Sequence, residues 1–324
     1  FVEYLTEKEW DKDFPTRRGP AYKIVDYMKG DKAGISPIMT NSESVFQFGN
    51  NAYGKPATAL NILRETVLGR ELFDYSFKEY SRRWAFKHPS PADLFRTMED
   101  ASGVDLDWFW RGWFYTTDHC DQSLDGVKWF QMSTKDPEIE RPLARKRKEE
   151  REAYISDIRN EEAFQSVVEK DAKTRDYYNN EHDPFKWTIL DKDDYDRYMA
   201  KLDEKEKAIL EKDLNYYQVD LSMVGGLVMP VILEFEYTDG SKETHRIPAE
   251  IWKMGSENVS KVFMSKKEVV RVVLDPTLES ADTDRSNNYW PAQVEPTRFE
   301  LYKGSDRKSE NPMQRAKRAA EKGK

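Results

Sequence analysis

The period of the hydrophobic residues changes once along this chain, close to Tyr216. Upstream of that point apolar side chains recur every three or four residues, as in Leu60, Leu63 and Val67, which is the spacing of one helix face. Downstream they alternate with mostly polar neighbours, which is the period of a half-buried strand. The sequence therefore predicts a multidomain protein that is mainly α-helical and carries a separate β domain.

The β pattern occupies residues 214–300. One predicted strand ends at the turn Asp239-Gly240, a returning strand follows, and residues 268–274, EVVRVVL, form another. Asp-Gly between two alternating runs is typical of a hairpin. Residues 214–300 are therefore predicted to form a β-sandwich of the immunoglobulin-like kind.

Residues 1–130 show helix signals and are predicted to form a compact helical unit. Pro56 stands at a first-turn position, and Gly69 ends that helix, as expected for helix boundaries. Aromatic residues crowd 108–115, where they form either a core or a ligand platform; helical spacing favours the core. The chain opens on FVEYLTEKEW, a helix pattern without an N-cap residue, so we expect the chain to be a fragment.

Residues 131–213 are unusually rich in charge and carry only a thin apolar stripe. The basic run Arg145–Lys148 resembles a localisation patch, but acidic residues follow it at once. Ion pairs along a solvated helix are the better interpretation. This segment is predicted to be a charged helical connector, and residues 301–324 a disordered basic tail.

Composition excludes several functions. The 52 Lys and Arg against 60 Asp and Glu leave a net charge of -8, which argues against a general nucleic-acid binder. No apolar run approaches the ~20 residues of a membrane span. Cys120 is the only cysteine, so an internal disulfide framework is excluded. No two of the four histidines are spaced i, i+4, so the zinc motif H-E-x-x-H is absent from this chain.

Three polar groups invite a chemical interpretation. The stretch DPTLESADTDRSNN supplies hard oxygens at spacings that calcium uses; they come from Asp275, Asp282, Asp284, Asn287 and Asn288. No glycine stands at the sharp-turn position, so turns are favoured. Residues 191–197, DKDDYDR, are interpreted as a helix start, where acids suit the dipole. His119 beside Cys120 lacks a third partner and is not taken as a catalytic pair. We predict no metal ligand within this chain.

Tyr53 is the strongest catalytic candidate. It lies in NNAYGKPATAL, on a predicted tight loop that Gly54 softens and Pro56 closes at a helix start. A phenol is neutral at pH 7, so it can donate a hydrogen bond to a developing oxyanion if a rigid loop holds it beside the reaction centre. The alternative is a tyrosine that only fastens the loop to the helix. Composition does not separate the two.

Several motifs occur together and in a fixed order. Tyr53-Gly54-Lys55-Pro56-Ala57 precedes a helix that ends in Leu68-Gly69. Further matches follow at Phe73, Tyr80, Asp93-Leu94-Phe95, Met98-Glu99, Ser102-Gly103 and Trp113, and in the β domain at Gly225-Gly226, Met229-Pro230, Asp239-Gly240, residues 248–252, Leu274-Asp275-Pro276 and Asn287-Asn288. As a set they resemble the aminopeptidase N-like zinc metallopeptidases, or gluzincin aminopeptidases, over roughly residues 1–115 and 183–291.

The resemblance implies a zinc-dependent exopeptidase that removes N-terminal residues from peptides. In that family two His and a Glu hold the zinc and another Glu is the general base; none of these matches a position here, so they are expected upstream of Phe1. Phe1–Leu5 is similar to the segment after the third zinc ligand, and residues 1–130 would be the C-terminal half of the catalytic domain. Only Tyr53 carries over, as the donor that stabilises the tetrahedral oxyanion.

The chain departs from the family's pattern at Pro56, where glycine usually follows the lysine, so the flexible residue stands next to Tyr53. Alone, the fragment is expected to be inactive. The alternatives are a non-catalytic interaction protein with an aminopeptidase-like fold and a hydrolase acting on non-peptide substrates. Likeness to exported bacterial members suggests an extracytoplasmic location; the sequence does not determine residue preference or oligomeric state.

Overall fold

A computed structural model describes residues 19–163, 165–180, 182–210, 212, 214–254, 257–293, 313 and 320. The elements given below belong to one unit that ends at Ala292. The helix predicted from Phe1 lies outside the described residues. So does the basic tail at 301–324, apart from two isolated positions.

The helical part is built from short helices with tight connections. They are α1 (Val25–Lys29), α2 (Lys55–Ile62), α3 (Arg70–Trp84), α4 (Pro91–Ser102) and α5 (Asp107–Trp110). Gly69 adopts a positive φ of 80° between α2 and α3, and Gly103 ends α4 in the left-handed conformation. Ser90 and Asp93 form a capping box at the start of α4, which satisfies amides that the helix leaves unpaired.

Two of these helices extend into π-helical turns. Asn50–Gly54 precedes α2 and Leu63–Val67 follows it, and Arg111–Tyr115 continues α5. In the first turn the Lys55 amide donates to the Asn50 carbonyl, five residues back. Pro56 lacks an amide proton and its ring would clash with the carbonyl four residues back in a regular helix. The wider π turn accommodates the proline inside a longer helical run.

The aromatic residues at 108–115 form the centre of the first hydrophobic core, as expected. Phe109 and Trp113 are fully buried, and Trp110 stacks on Phe95 with ring centroids 4.5 Å apart. Tyr115 is the exposed exception. Stacked aromatic rings bury a large apolar area, so this cluster supplies much of the packing that holds α4 and α5 together.

The β part contains two antiparallel sheets. Its strands are β1 (Gln122–Gln131), β2 (Asn215–Met223), β3 (Val231–Tyr237), β4 (Lys242–Ile247), β5 (Asn258–Ser265), β6 (Val269–Leu274) and β7 (Tyr289–Trp290). One sheet has the order β1-β2-β5 and the other β4-β3-β6-β7. Their inward side chains, including Tyr217, Leu233 and Phe235, share a second core.

Strand β1 lies in the segment that the sequence pattern assigned to the helical unit and the start of the connector. Its pairing with β2 shifts register between Leu124 and Gly126. A bulge of this kind interrupts the side-chain alternation, so the strand carries no clean period of two. Edge strand β5 is mostly exposed and is also not predicted, because its apolar residues do not alternate regularly with polar ones.

The connector forms short helices, as its charge pattern predicted. They are α6 (Pro137–Glu149), α7 (Ile155–Ala163), α8 (Val167–Lys170), α9 (Tyr177–Asn180), α10 (Ile189–Met199) and α11 (Glu204–Leu210). Lys146 and Glu150 form an i, i+4 ion pair at 3.7 Å, and Arg141 reaches Asp191 at 2.7 Å. Asp191 pairs with Thr188 in the capping box of α10 and lies in its first turn, whereas the other acids of residues 191–197 lie further along the helix.

The segment between β2 and β3 fastens the β part to the helical core. Leu227 and Met229 belong to the first core cluster, and the Leu227 amide donates to the His119 carbonyl at 3.2 Å. A Cβ placed on Gly225 would lie 2.2 Å from the His119 carbonyl oxygen. The backbone approach at this point therefore requires glycine.

We expect Gly225→Ala to lower the free energy of unfolding by about 3 kcal/mol, because a backbone atom cannot move aside as a flexible side chain does. Urea unfolding followed by circular dichroism measures the change. Gly126→Ala is the matched control, since nothing lies within 4 Å of a Cβ at that position. Equal losses in the two variants would contradict the close approach.

Candidate functional site

Tyr53 lies within the π-helical turn Asn50–Gly54, which leads directly into α2. The predicted loop is therefore wrong: Gly54 has helical φ and ψ of -64° and -59°. A Cβ on Gly54 would lie 3.4 Å from Ile24 Cδ1, so its small size serves close packing. The sequence predicts a flexible glycine beside Tyr53, whereas in the structure Gly54 belongs to a π-helical turn with regular backbone angles.

The phenol ring of Tyr53 faces outward from this turn. The residue is 53% exposed, and its ring contacts that of Phe48 edge to face, with centroids 5.7 Å apart. Phe46 is exposed nearby in sequence. Phe46, Phe48 and Tyr53 are thus three exposed aromatic residues of one short segment. Three exposed rings within eight residues depart from the usual scatter of single apolar side chains on a protein surface.

Asn51 fixes the turn from its inner side. This asparagine is 1% exposed, and its Nδ2 donates to the carbonyls of Ser36 at 2.6 Å and Pro37 at 3.1 Å. Buried hydrogen bonds of this kind hold a side chain in one rotamer. Tyr53, two residues on, is thus carried by a turn that is anchored to the preceding segment.

Lys55 anchors the same turn on its other side. Its side chain is 1% exposed, and Nζ donates to the Thr116 carbonyl at 3.0 Å. Burial lowers the pKa of the Lys55 amine to about 8; the negative charge of Asp118 opposes this, and the positive charge of Lys32 adds to it. The structure thus assigns a role to Lys55 that sequence reasoning did not predict, because only the tertiary contact buries it.

His119 and Cys120, which are consecutive in the sequence, do not form a nucleophilic pair. Cys120 is fully buried, and burial raises the pKa of its thiol well above its usual range. Burial also lowers the pKa of His119. A thiol held in its protonated form is a poor nucleophile, so the burial of Cys120 does not favour a catalytic role for it.

The polar residues at 275–288 form turns, as favoured from the sequence. The Asp284 amide donates to Asp282 Oδ1 at 3.0 Å, and the Ser286 amide donates to Asp284 Oδ1 at 3.0 Å. Asp275 accepts from the amides of Glu279 and Ser280. The contacts of Asp282 and Asp284 are Asx turns, in which a short acidic side chain replaces a backbone acceptor, and Asp275 holds a wider turn of the same loop.

The structure brings together one trio of acidic residues that the sequence analysis did not predict. Glu99, Asp105 and Asp107 each place a carboxylate oxygen within 4.8 Å of the other two. Burial raises the pKa of Glu99, whose carboxylate also accepts from the Leu106 amide. Among the described residues no other trio of His, Cys, Asp or Glu is as close. It contains no imidazole or thiolate, the ligands that zinc favours.

Comparison with known proteins shows only a distant likeness. No family model matches the chain, and no curated protein matches it. Among solved structures, the chain is similar to Legionella pneumophila aminopeptidase A in complex with aspartic acid, with a TM-score of 0.36 and 10% identity. The similarity covers 72% of this chain and 17% of that one, so the chain spans less than a fifth of its length. A TM-score this low carries no argument about function.

Among the described residues, no helix combines the length and the apolar character needed to cross a membrane.

Proposed function

We propose that this chain is the C-terminal part of a zinc-dependent aminopeptidase, in which Tyr53 stabilises the tetrahedral oxyanion formed during removal of an N-terminal residue from a peptide. The ordered set of motifs that resembles the gluzincin aminopeptidases supports this assignment. The observation that carries it is the placement of Tyr53: its side chain is exposed, while Asn51 and Lys55 on either side are buried and hydrogen-bonded.

That arrangement suits an oxyanion donor. A donor lowers the barrier when its O–H is already oriented toward the position of the developing charge, because no reorganisation is then needed during the reaction. The two buried anchors hold the backbone on either side of Tyr53, and Phe48 contacts its ring. The phenol would donate its proton in a hydrogen bond to the oxyanion and remain covalently unchanged.

The described residues do not fit a catalytic zinc ion. Their acidic trio at Glu99, Asp105 and Asp107 lacks histidine, and the thiol of Cys120 is buried and protonated. Under this proposal the zinc ligands and the general base belong to another part of the intact protein. We therefore derive no step through zinc from these residues.

The intact protein tests the assignment. Hydrolysis of a panel of aminoacyl-anilides, with zinc quantified in the same sample, should show activity that a chelator removes and zinc restores. The 324-residue chain, assayed alone, should show no such activity. Absence of both activity and zinc from the intact protein would overturn the proposal.

A non-catalytic interaction protein is the second candidate, and the connector favours it. Several large apolar side chains of residues 137–210 are exposed, among them Ile189 at 77% and Leu190 at 72%. Exposed apolar side chains grouped on neighbouring elements are typical of interaction surfaces. If the intact protein holds no zinc and hydrolyses none of the anilides, this candidate replaces the enzyme.

A further inference from the structure

A buried group of oxygen atoms lies where the loop after β6 meets the segment before β1. We call it the oxygen pocket; it consists of Asp121, Asp282, Asn287 and Asn288. Asp282 is 5% exposed and Asn288 1% exposed, while Asp121 and Asn287 are half-buried. The loop is fastened here by Thr283, whose amide and Oγ1 both donate to the Cys120 carbonyl, at 2.9 and 3.0 Å.

Each asparagine side chain of the oxygen pocket directs its amide nitrogen, Nδ2, toward a carboxylate. Asn288 Nδ2 donates to Asp282 Oδ2 at 3.1 Å, and Asn287 Nδ2 donates to Asp121 Oδ1 at 3.1 Å. Both Oδ1 atoms are buried, and neither has a hydrogen-bond partner among the described residues. Leaving a buried acceptor without a donor costs about 1–3 kcal/mol, so two adjacent cases require an explanation.

Reversing the amides does not remove the problem. Rotating either side chain by 180° would place its oxygen against a carboxylate oxygen, exchanging an unpaired acceptor for a repulsive contact. The orientation with each N–H toward a carboxylate is therefore the favoured one. It leaves the carbonyl oxygens of Asn287 and Asn288 buried and without a donor among the described residues.

The charges around the pocket are mainly negative. The carboxylates of Asp121 and Asp275 both act on the buried carboxylate of Asp282. Asp275 is already occupied by the amides of Glu279 and Ser280 and by Ser280 Oγ. On the outer side, the exposed Lys29 side chain donates to the Thr283 carbonyl at 3.3 Å. In the oxygen pocket the buried acceptor atoms therefore outnumber the donors that face them, and such a group of oxygens is complementary to a cation.

We propose that Asp121, Asp282, Asn287 and Asn288 bind one calcium ion. Carboxylate and amide oxygens are the ligands that Ca²⁺ takes, in flexible geometry and without a fixed coordination number. Mg²⁺ keeps several waters and rarely uses an all-protein cage, so a buried set of protein oxygens favours the larger ion. Zinc would need imidazole or thiolate, and these four residues supply neither.

Such an ion would cross-link distant parts of the chain. Asp121 precedes β1, whereas Asp282, Asn287 and Asn288 precede β7, which pairs with β6. Binding to the folded chain alone stabilises it in proportion to the logarithm of the free ion concentration. The expected consequence is a melting temperature that rises with added calcium.

The test uses the 324-residue chain after removal of metal with a chelator. Isothermal titration with CaCl₂ should give one bound ion per chain, and thermal unfolding should shift upward in the same solutions. MgCl₂ should bind at least tenfold more weakly, and ZnCl₂ should not compete for the site. Absence of calcium binding by the wild-type chain would overturn the proposal and leave water as the partner of the two amide oxygens; displacement of calcium by zinc would overturn the assignment of the ion.

Variants locate the ion. Asp282→Asn should lower calcium affinity at least tenfold, and Asn287→Ala, at a half-buried position that tolerates change better, should also lower it. Asp105→Asn is the matched control, because it removes a carboxylate from the acidic trio at Glu99, Asp105 and Asp107, the alternative place for a cation. Circular dichroism reports whether each variant folds. Calcium binding that survives in the folded Asn287→Ala or Asp282→Asn variant but is lost in Asp105→Asn would overturn the assignment to the oxygen pocket.

Discussion

Replacing Tyr53 by phenylalanine in the intact protein is expected to lower kcat for aminoacyl-anilide hydrolysis by about 10²–10³, with zinc content unchanged. The substitution removes one hydroxyl and keeps the ring, so the edge-to-face contact with Phe48 is retained. An oxyanion donor acts only when charge develops on the substrate. The loss should therefore appear in kcat, with little change in KM.

Tyr75→Phe is the matched control for this measurement. Tyr75 lies on α3 and is 60% exposed, so the substitution removes a comparable hydroxyl from a surface with no proposed role. Parallel kinetics and zinc assays on both variants separate the two explanations for Tyr53. Unchanged kcat in Tyr53→Phe would mean that the tyrosine only fastens the turn to the helix.

Replacing Lys55 by methionine is expected to change how the stability of the chain depends on pH. The pKa of the Lys55 amine is about 8 in the folded chain and 10.5 in its ordinary environment. Below pH 8 both the folded and the unfolded states bind this proton, and the full cost of burying the ammonium is present. Between pH 8 and 10.5 the unfolded state binds more protons than the folded state, so this group makes stability rise with pH.

The difference in unfolding free energy, wild type minus Lys55→Met, should therefore increase by roughly 2 to 3 kcal/mol from pH 7 to pH 10, at about 1.4 kcal/mol for each unit of the pKa difference. Urea unfolding at the two pH values measures it. Ile62→Met is the matched control, since it alters the same helix without removing an ionisable group and its difference from wild type should not depend on pH. A constant difference for Lys55→Met would show that its amine titrates alike in both states.

The sequence predicted those parts of the fold that local periodicity encodes. Helical spacing around Leu60 and Leu63, the capping box at Ser90 and the alternation from Tyr217 to Met223 all correspond to elements of the described structure. Turn chemistry at Asp282 and Asp284 was likewise readable, because an Asx turn is formed by residues only two positions apart. Tyr53 could be selected as a candidate from its motif.

Strand β1 and the environment of Tyr53 were not predictable in the same way. β1 is defined by its pairing with β2, some ninety residues away along the chain, and its bulge removes the alternation that would identify it. Glycine and proline usually mark a loop, so the sequence predicts a loop where the structure has the helical turn Asn50–Gly54. Packing of Gly54 against Ile24 instead allows a helical turn there.

By itself, then, the sequence determined most of the helices, several of the strands downstream of Tyr216 and the choice of Tyr53 as a candidate, because these depend on residues a few positions apart. Only the tertiary structure decided that Lys55 is buried against the Thr116 carbonyl and that Asp121 meets Asn287. The physical reason is that burial and desolvation are set by distant segments, and these two quantities control the pKa of a lysine and the pairing of a buried amide.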